Sequence, residues 1–522
     1  MSGISALTFT GNGGAAFIAG WSVLGIYLGN IAGFLVHSAF LAPWFRQLRV
    51  ITFAEALRTR FGPATQQIYA MIGVVLFIVA ASVWLLGLAI FSASAFGLPL
   101  HATIPVLGFV VLFYSSIGGK WAVLSTDFIQ GLIMVGMTVL LSILCLIHAG
   151  GIEGFFAKIA ERNLQETFAF VKRDGVFPDG LYTWRWVLAT FTIQFISTTS
   201  LMQSSRYFAV KDGREARRAA ILTTVLMALG TVLWFIPPMT ARLFFEAEVL
   251  ASSMPKPEEA AFAIVSLQFL PSGLVGMIVV AMFAATMSSV DSGLNGNAAL
   301  LIRDILPAIR RRLGLPALAP DLELRWSKLS SVGFGLLIIG LALWISYQET
   351  VGIFQIALGL SATVVLPMGV PLLLCMFIRR TPPWACLCSM GAALVPSIIA
   401  YLQPELMSFG ERVLWVVGAG VAGFLVTTPF PATTEYRARV DGFFDQMRRP
   451  VDFDREVGAA NDAVQLLIMG RFTYAVAALF FVLLLVPNPV SGRYAILAIA
   501  MSMLTVAMLF SWRGRRGAVH RN

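Results

Sequence analysis

Two long stretches without a single Asp, Glu, Lys or Arg constrain this chain more than any other feature. Residues 1–45 contain none, and neither do the 59 residues from Phe61 to Gly119. A membrane-crossing helix needs about 20 consecutive apolar residues. The first stretch therefore holds one full span and part of another, and the second divides in two at Gly97-Leu98-Pro99. Further charge-free windows lie at 128–152, 186–205, 219–241, 260–290, 329–348, 350–378, 381–404, 413–434, 472–492 and 494–512. Counted in order, they predict fourteen membrane segments, the first incomplete. With 58% hydrophobic and 12% charged residues, the 522-residue chain has too little polar surface for a water-soluble globule. A secreted enzyme, a cytosolic domain and a singly anchored protein are excluded. The expected fold class is an all-α polytopic membrane protein.

The net charge of +10 reads as topology rather than as a nucleic-acid surface. The connections after segments 2, 4, 6, 8, 10 and 12, with the C-terminal tail, carry 28 of the 37 Lys and Arg. Arg46, Arg49, Arg58 and Arg60 are among them, as are Arg310-Arg311-Arg312. Basic loops stay inside, so these connections and the C-terminus are expected in the cytoplasm, with the chain in the plasma (inner) membrane.

No residue set for covalent chemistry stands out. Cys145, Cys375, Cys386 and Cys388 lie in or beside apolar segments, and His37, His101, His148 and His520 are scattered. No P-loop, G-x-S-x-G or H-E-x-x-H motif occurs in a supporting context. Enzyme activity and cofactors are not expected, and neither is nucleic acid or an obligatory protein partner. Ten residues precede Gly11-Asn12-Gly13-Gly14, about 15 Å of helix, too short for a ~30 Å core. Either this is a half-helix by design or the true start lies upstream, and the second is the expectation.

Polar side chains inside spans are costly and mark functional candidates. Segment 8 reads AMFAATMSSVDSGLNGNAALLIRD and concentrates Ser288, Ser289, Asp291, Ser292, Asn295 and Asn297. Hydroxyls and a carboxylate among small residues form a hard-oxygen environment for an alkali cation, although serines also tie membrane helices together. Asp127 and Gln130 lie one turn apart in segment 5. Around the glycine cluster of segment 1, an unwound stretch would free carbonyls for Na⁺. Tyr27 and Asn30 share a face of segment 2, and Gln194, Ser197 and Thr198 share one of segment 6. Gln355 is a lone amide in segment 10.

The stretches ISALTFTGNGG, PWFRQLRVITFAEALRTRFG, IGGKWAVLSTDFIQG, SSRYFAVKDGREARRAA and AATMSSVDSGLNGNAALLIRDI together resemble the sodium:solute symporter family. The resemblance covers nearly the whole chain. It implies a ten-helix core with the fold of the bacterial leucine transporter, built from two inverted five-helix repeats, over residues 1–380. Residues 381–522 would be accessory helices, with a cytoplasmic loop near 433–470. It further implies a Na⁺ site formed by carbonyls of Met1, Ile4 and Ala285 with the hydroxyls of Ser288 and Ser289. Asp127, Ser2, Asp291 and Ser292 match a second cation or coupling site, in which Asp291 departs from the family by replacing a hydroxyl. Substrate contacts fall on Thr8, Tyr27 and Asn30, which differ in type from those of sugar carriers. From their position within spans, Gln194, Ser197 and Gln355 join that candidate group.

The expectation is a secondary-active transporter in which Na⁺ drives uptake of a small organic solute by alternating access. The partners would then be the solute, Na⁺ and the lipid bilayer. The competing readings are a proton-coupled carrier, an inactive truncated carrier and a solute sensor built on a transporter fold.

Overall fold

A computed structural model describes residues 4–519, apart from 118–119, 209, 317, 349–351, 457 and 459–461. Among the described residues the chain is helical, with one isolated bridge, Lys172–Thr183, and no strand. A helix falls on each of the fourteen predicted windows. Segment 1 is a turn, Ala6–Phe9, followed by Gly11–Ala19; segment 2 runs Leu24–Val36 and on through Ala42–Gln47. Segments 3, 4 and 5 are Pro63–Phe96, Leu100–Ile117 and Lys120–His148. Segment 6 is Trp184–Thr199 with a short continuation Leu201–Arg206, and segment 7 is Gly213–Phe244. Segment 8 runs Leu274–Ala299 and on to Leu306–Arg312; segment 9 is Pro320–Ser346. Segment 10 spans Ile353–Leu360 to Leu366–Leu374, and segments 11 to 14 are Ala385–Leu402, Phe409–Leu425, Asp462–Leu483 and Val490–Val519. Ten of these stretches are long and apolar enough by themselves to cross a bilayer, segments 1 and 2 counting as one; segments 4, 6 and 12 are shorter.

Packing sorts the helices into groups. Segments 6 and 7 each pack on segment 2, with the Gly11–Ala19 part of segment 1 on segment 7. Segments 3, 4, 8 and 9 form a second set of mutual neighbours. The Ala6–Phe9 turn touches segments 3 and 8, so segment 1 lies between the two groups. Segment 10 joins segments 6, 11 and 12, while segments 13 and 14 pair with each other beside segment 5.

Prolines inside the spans show how the membrane's demand for hydrogen bonds is met. A helical proline deprives the carbonyl four residues earlier of its donor, and hydrocarbon offers no replacement. Pro237 does this to Leu233, whose oxygen accepts from Ser142 Oγ of segment 5 at 2.5 Å. Pro367 does it to Thr363, whose oxygen accepts from Ser397 Oγ of segment 11 at 3.1 Å. Two hydroxyls that sequence patterning leaves unexplained thereby become interhelical ties.

Segment 1 corrects one expectation. The Gly11-Asn12-Gly13-Gly14 stretch is helical, not unwound. The non-helical residues come earlier: Ile4 lies outside any helix, Ser5 is extended (φ −136°, ψ 176°), and the helix is interrupted at Thr10. The glycines serve close packing instead. A Cβ on Gly14 would sit 3.3 Å from the backbone of Glu258, and one on Gly11 would sit 3.2 Å from Phe354 N. Segment 6 is also interrupted, at the extended Ser200 (φ −69°, ψ 156°), without any glycine.

The turn between segments 1 and 2 is capped by the connection between segments 5 and 6. Gly20 has φ +56°, and a Cβ there would lie 2.6 Å from Phe168 Cα. Gly97 has φ +64° with nothing within 4 Å of a Cβ. Gly97→Ala therefore tests the left-handed backbone cost alone, about 1–2 kcal/mol. Gly20→Ala is expected to lower the unfolding midpoint clearly more, and equal midpoints in a thermal melt would contradict this packing.

Candidate functional site

The start of segment 1 and the middle of segment 8 meet through a compact set of oxygens. Ser289 Oγ donates to Ala285 O at 3.2 Å and approaches Ile4 O at 3.5 Å. The amide of Ala6 donates to Thr286 Oγ1 at 3.0 Å, which satisfies one of the open donors at a helix start. Ser288 is 1% exposed, and its Oγ has no hydrogen-bond partner among the described residues. A buried hydroxyl left without a partner costs about 1–3 kcal/mol. The carbonyls of Ile4 and Ala285 and the Ser289 hydroxyl thus bring together three of the five oxygens expected at the cation site, and the open Ser288 hydroxyl belongs to the next residue along the helix. Met1, the fifth, and Ser2 lie outside the described residues.

Asp291 is fully buried three residues past Ser288 and accepts from Asn295 Nδ2 at 3.1 Å. Ser292, the next residue, is exposed. Asp127 falls in segment 5, which packs along segment 8, but its side chain is outside the described residues. Gln130, one turn on, has a buried amide oxygen with no partner among the described residues.

The candidate substrate residues separate into two clusters. Tyr27 is buried, and its hydroxyl accepts from Asn12 Nδ2 at 2.7 Å with Thr8 alongside. Aromatic rings enclose this cluster: Tyr27 lies 5.8 Å from Trp234 and 5.2 Å from Phe235, and Phe9 lies 4.9 Å from Phe262. Asn30 instead accepts from Thr198 Oγ1 at 2.7 Å across the contact of segments 2 and 6. Gln194 lies one turn before Thr198, its Cβ 3.0 Å from where a Gly29 Cβ would be. Ser197 is half-buried, its carbonyl accepting from Ser200 Oγ at 2.9 Å beside the break. Gln355 is exposed in segment 10. Asn12 and Thr286 were missed in the sequence. Asn12 stood in plain view between the glycines, whereas nothing distinguishes Thr286 from a packing threonine.

His37 ties the broken segment 6 to segment 2. Its Nδ1 lies 2.8 Å from Tyr207 Oη and its Nε2 lies 2.8 Å from Thr198 O, a carbonyl beside the Ser200 break. On the face opposite the basic loops, two buried titratable side chains hold connections in place. Lys172 Nζ donates to Ala19 O at 2.8 Å, to Ser22 Oγ at 2.9 Å and to Ala169 O. A cation at the end of segment 1 suits the negative pole of that helix, and burial pushes the Lys172 ammonium down to about 8. Glu259 is 5% exposed, and its Oε1 accepts from Ile353 N at 2.8 Å at the start of segment 10.

Burial raises the Glu259 carboxyl from 4.5 to about 8, against the lowering effect of the Ile353 amide. The folded protein therefore holds this proton through neutral pH, where the unfolded chain has lost it. The associated stability is fully present below about pH 4.5 and is lost as pH rises through 8. Between pH 5 and 8 the midpoint of Glu259→Gln should fall less than that of the wild type. Parallel pH profiles would contradict the assignment.

Comparison with known proteins places these features in context. The family model described as "Sodium:solute symporter family" matches residues 1–390. The sodium/sialic acid symporter SiaT of Proteus mirabilis is 24% identical over 442 residues, covering 82% of this chain and 85% of the relative. The high-affinity proline transporter PutP of Bacillus subtilis is 27% identical over 401 residues, covering 73% and 79%. The sodium/glucose cotransporter 1 of Ovis aries is 26% identical over 348 residues, covering 59% and 52%. Among solved structures, a substrate-bound outward-open Na⁺-coupled sialic acid symporter matches with TM-score 0.65 at 20% identity, covering 82% of this chain and 88% of that one. Mhp1, a nucleobase-cation-symport-1 family transporter in a closed conformation, matches with TM-score 0.50 at 14% identity, covering 84% and 93%. At these identities the structural likeness speaks for the fold.

Proposed function

Since the chain belongs to the sodium:solute symporter family, we propose that it couples inward Na⁺ flow to uptake of a small organic solute by alternating access. Members of this family are transporters, not enzymes. The observation that carries the cation part is the contact of segments 1 and 8, where Ser289 meets the Ile4 and Ala285 carbonyls and the adjacent Ser288 has a buried hydroxyl without a partner among the described residues. Neutral oxygens replace the hydration shell of a monovalent ion without placing a full opposite charge against it. One elementary charge moved through 100 mV supplies about 2.3 kcal/mol, which is the driving force.

In this reading segment 1 senses both ligands. Its non-helical start at Ile4 and Ser5 contributes to the cation site, and Thr8 and Asn12 reach the Tyr27 cluster within one to two turns. Cation binding would stiffen the break and so prepare the solute site. Amide and hydroxyl groups walled by Phe9, Trp234, Phe235 and Phe262 suit a small polar solute with one apolar face. The relatives' names, sialic acid, proline and glucose, bracket that range. Asn30, Gln194, Ser197 and Gln355 would act around this centre. Residues 1–380 would be the transport core and 381–522 accessory, in the plasma membrane with the basic face and the C-terminus cytoplasmic.

A second reading rests on Asp291. A fully buried carboxylate three residues past Ser288, with Asn295 donating to it, could carry a proton or hold a second cation with Asp127, Ser2 and Ser292. Thermal unfolding in NaCl, KCl and choline chloride separates the readings. A ligand bound only to the folded state stabilises it by about 2.7 kcal/mol at 100 times its Kd. The sodium reading predicts a rise of the midpoint specific to NaCl and lost in Ser288→Ala and Ser289→Ala. No sodium-specific rise, with uptake into proteoliposomes that follows pH alone and is lost in Asp291→Asn, would favour the proton reading.

A further inference from the structure

The connection between segments 12 and 13 contains a helix, Thr434–Arg448, that crosses the basic face and grips the connection between segments 2 and 3 at both ends. At the segment 2 end, Gln446 Nε2 donates to Leu48 O at 3.0 Å. Arg49 makes two hydrogen bonds to Glu456, Nε to Oε2 at 2.5 Å and Nη2 to Oε1 at 2.8 Å, and also donates to Pro450 O at 3.0 Å. At the segment 3 end, Arg60 is fully buried and donates to Tyr436 Oη and Ile378 O at 2.8 Å and to Thr381 Oγ1 at 2.9 Å. Its guanidinium lies 5.7 Å from the ring centre of Phe444. The helix also buries Tyr436, Val440, Phe443, Phe444 and Met447 in one cluster with Cys375 and Cys386.

Segment 2 belongs to one packing group and segment 3 to the other. A 15-residue helix, about 22 Å long, with the turn to Glu456 that follows it, cannot stay attached at Leu48 and Arg49 and at Arg60 while those groups move apart. We propose that this helix, with the turn to Glu456, is a cytoplasmic strap that holds the two groups together on the inner face and loosens at its Arg49–Glu456 end as the cytoplasmic exit opens. The two ends differ as this requires. Arg60 is enclosed, whereas the Arg49–Glu456 pair is partly exposed, with side chains 22% and 36% accessible, so water can replace it cheaply. Arg49 holds the Glu456 carboxyl down at about 2, so the pair stays charged at any physiological pH and release is mechanical rather than driven by pH.

The proposal rests on the transport reading, and native thiols report on both. Cys375 and Cys386 are buried in the strap's cluster, whereas Cys145 is buried elsewhere, in segment 5. N-ethylmaleimide labelling of the full-length protein, read per cysteine by mass spectrometry, would be run in NaCl and in KCl beside the unfolding midpoint. We expect Cys375 and Cys386 in the wild type to label at rates differing at least threefold between the two salts, with Cys145 unchanged. Glu456→Gln and Arg49→Gln should label at the faster rate in both salts, and the charge swap Arg49→Glu/Glu456→Arg should restore the difference. A NaCl-raised midpoint with labelling equal in both salts would overturn the strap alone. Wild-type labelling rates in both Gln variants would do the same. Neither a midpoint shift nor a labelling difference would overturn the strap together with the transport reading.

Discussion

Backbone that leaves the helix inside a membrane must find its hydrogen bonds within the protein, and in this chain the start of segment 1 finds them on segment 8. Ile4 and Ser5 are not helical, and the hydrocarbon core offers no water to their polar groups. Ser289 takes the Ile4 carbonyl, Thr286 takes the Ala6 amide, and the adjacent Ser288 keeps a buried hydroxyl with no partner among the described residues. The same contact that makes the break tolerable is the one proposed above to take a small cation. Segment 1 lies between the two packing groups, so whatever binds here bears on how they sit together.

Around that centre several buried polar groups act as fasteners on the two faces. Opposite the basic loops, Lys172 closes the end of segment 1 and Glu259 closes the start of segment 10. On the basic face, Asp304 accepts from Thr52 at 3.0 Å and from Gln66, joining the end of segment 8 to the connection between segments 2 and 3 and to the start of segment 3. Arg60 then joins that connection to the Thr434–Arg448 helix. Between the faces the helices hold mainly through apolar contact and single hydroxyl ties such as Ser142 to Leu233.

The architecture was legible because hydrocarbon excludes charge. Every charge-free window carries a helix among the described residues, and Ser289 of the MSS..S run lies where segment 1 meets segment 8. The glycines misled, because a glycine admits close packing as readily as it breaks a helix. Gly11 and Gly14 make room for segment 10 and for Glu258, and the chain leaves the helix at Ser5 and Thr10 instead. The interruption of segment 6 at Ser200 carries no sequence mark, since it depends on His37 taking up Thr198 O from another segment. Tyr27 and Asn30 share a helical face by spacing, yet the first turns to Asn12 and the second to Thr198. Spacing along one helix does not say which neighbours the face will meet. The charged 433–470 stretch was equally unreadable, because its partners Arg49 and Arg60 lie nearly 400 residues away in sequence.

The central claim is that the oxygens joining segments 1 and 8 bind Na⁺. Equilibrium binding of radioactive ²²Na⁺ to the purified full-length protein, competed with unlabelled Na⁺, K⁺ and choline, tests it most directly. The account predicts saturable binding displaced by Na⁺ but not by K⁺ or choline, weakened at least tenfold in Ser288→Ala and kept in Ser292→Ala, whose position is exposed. Binding of equal strength in the wild type and Ser288→Ala would contradict it.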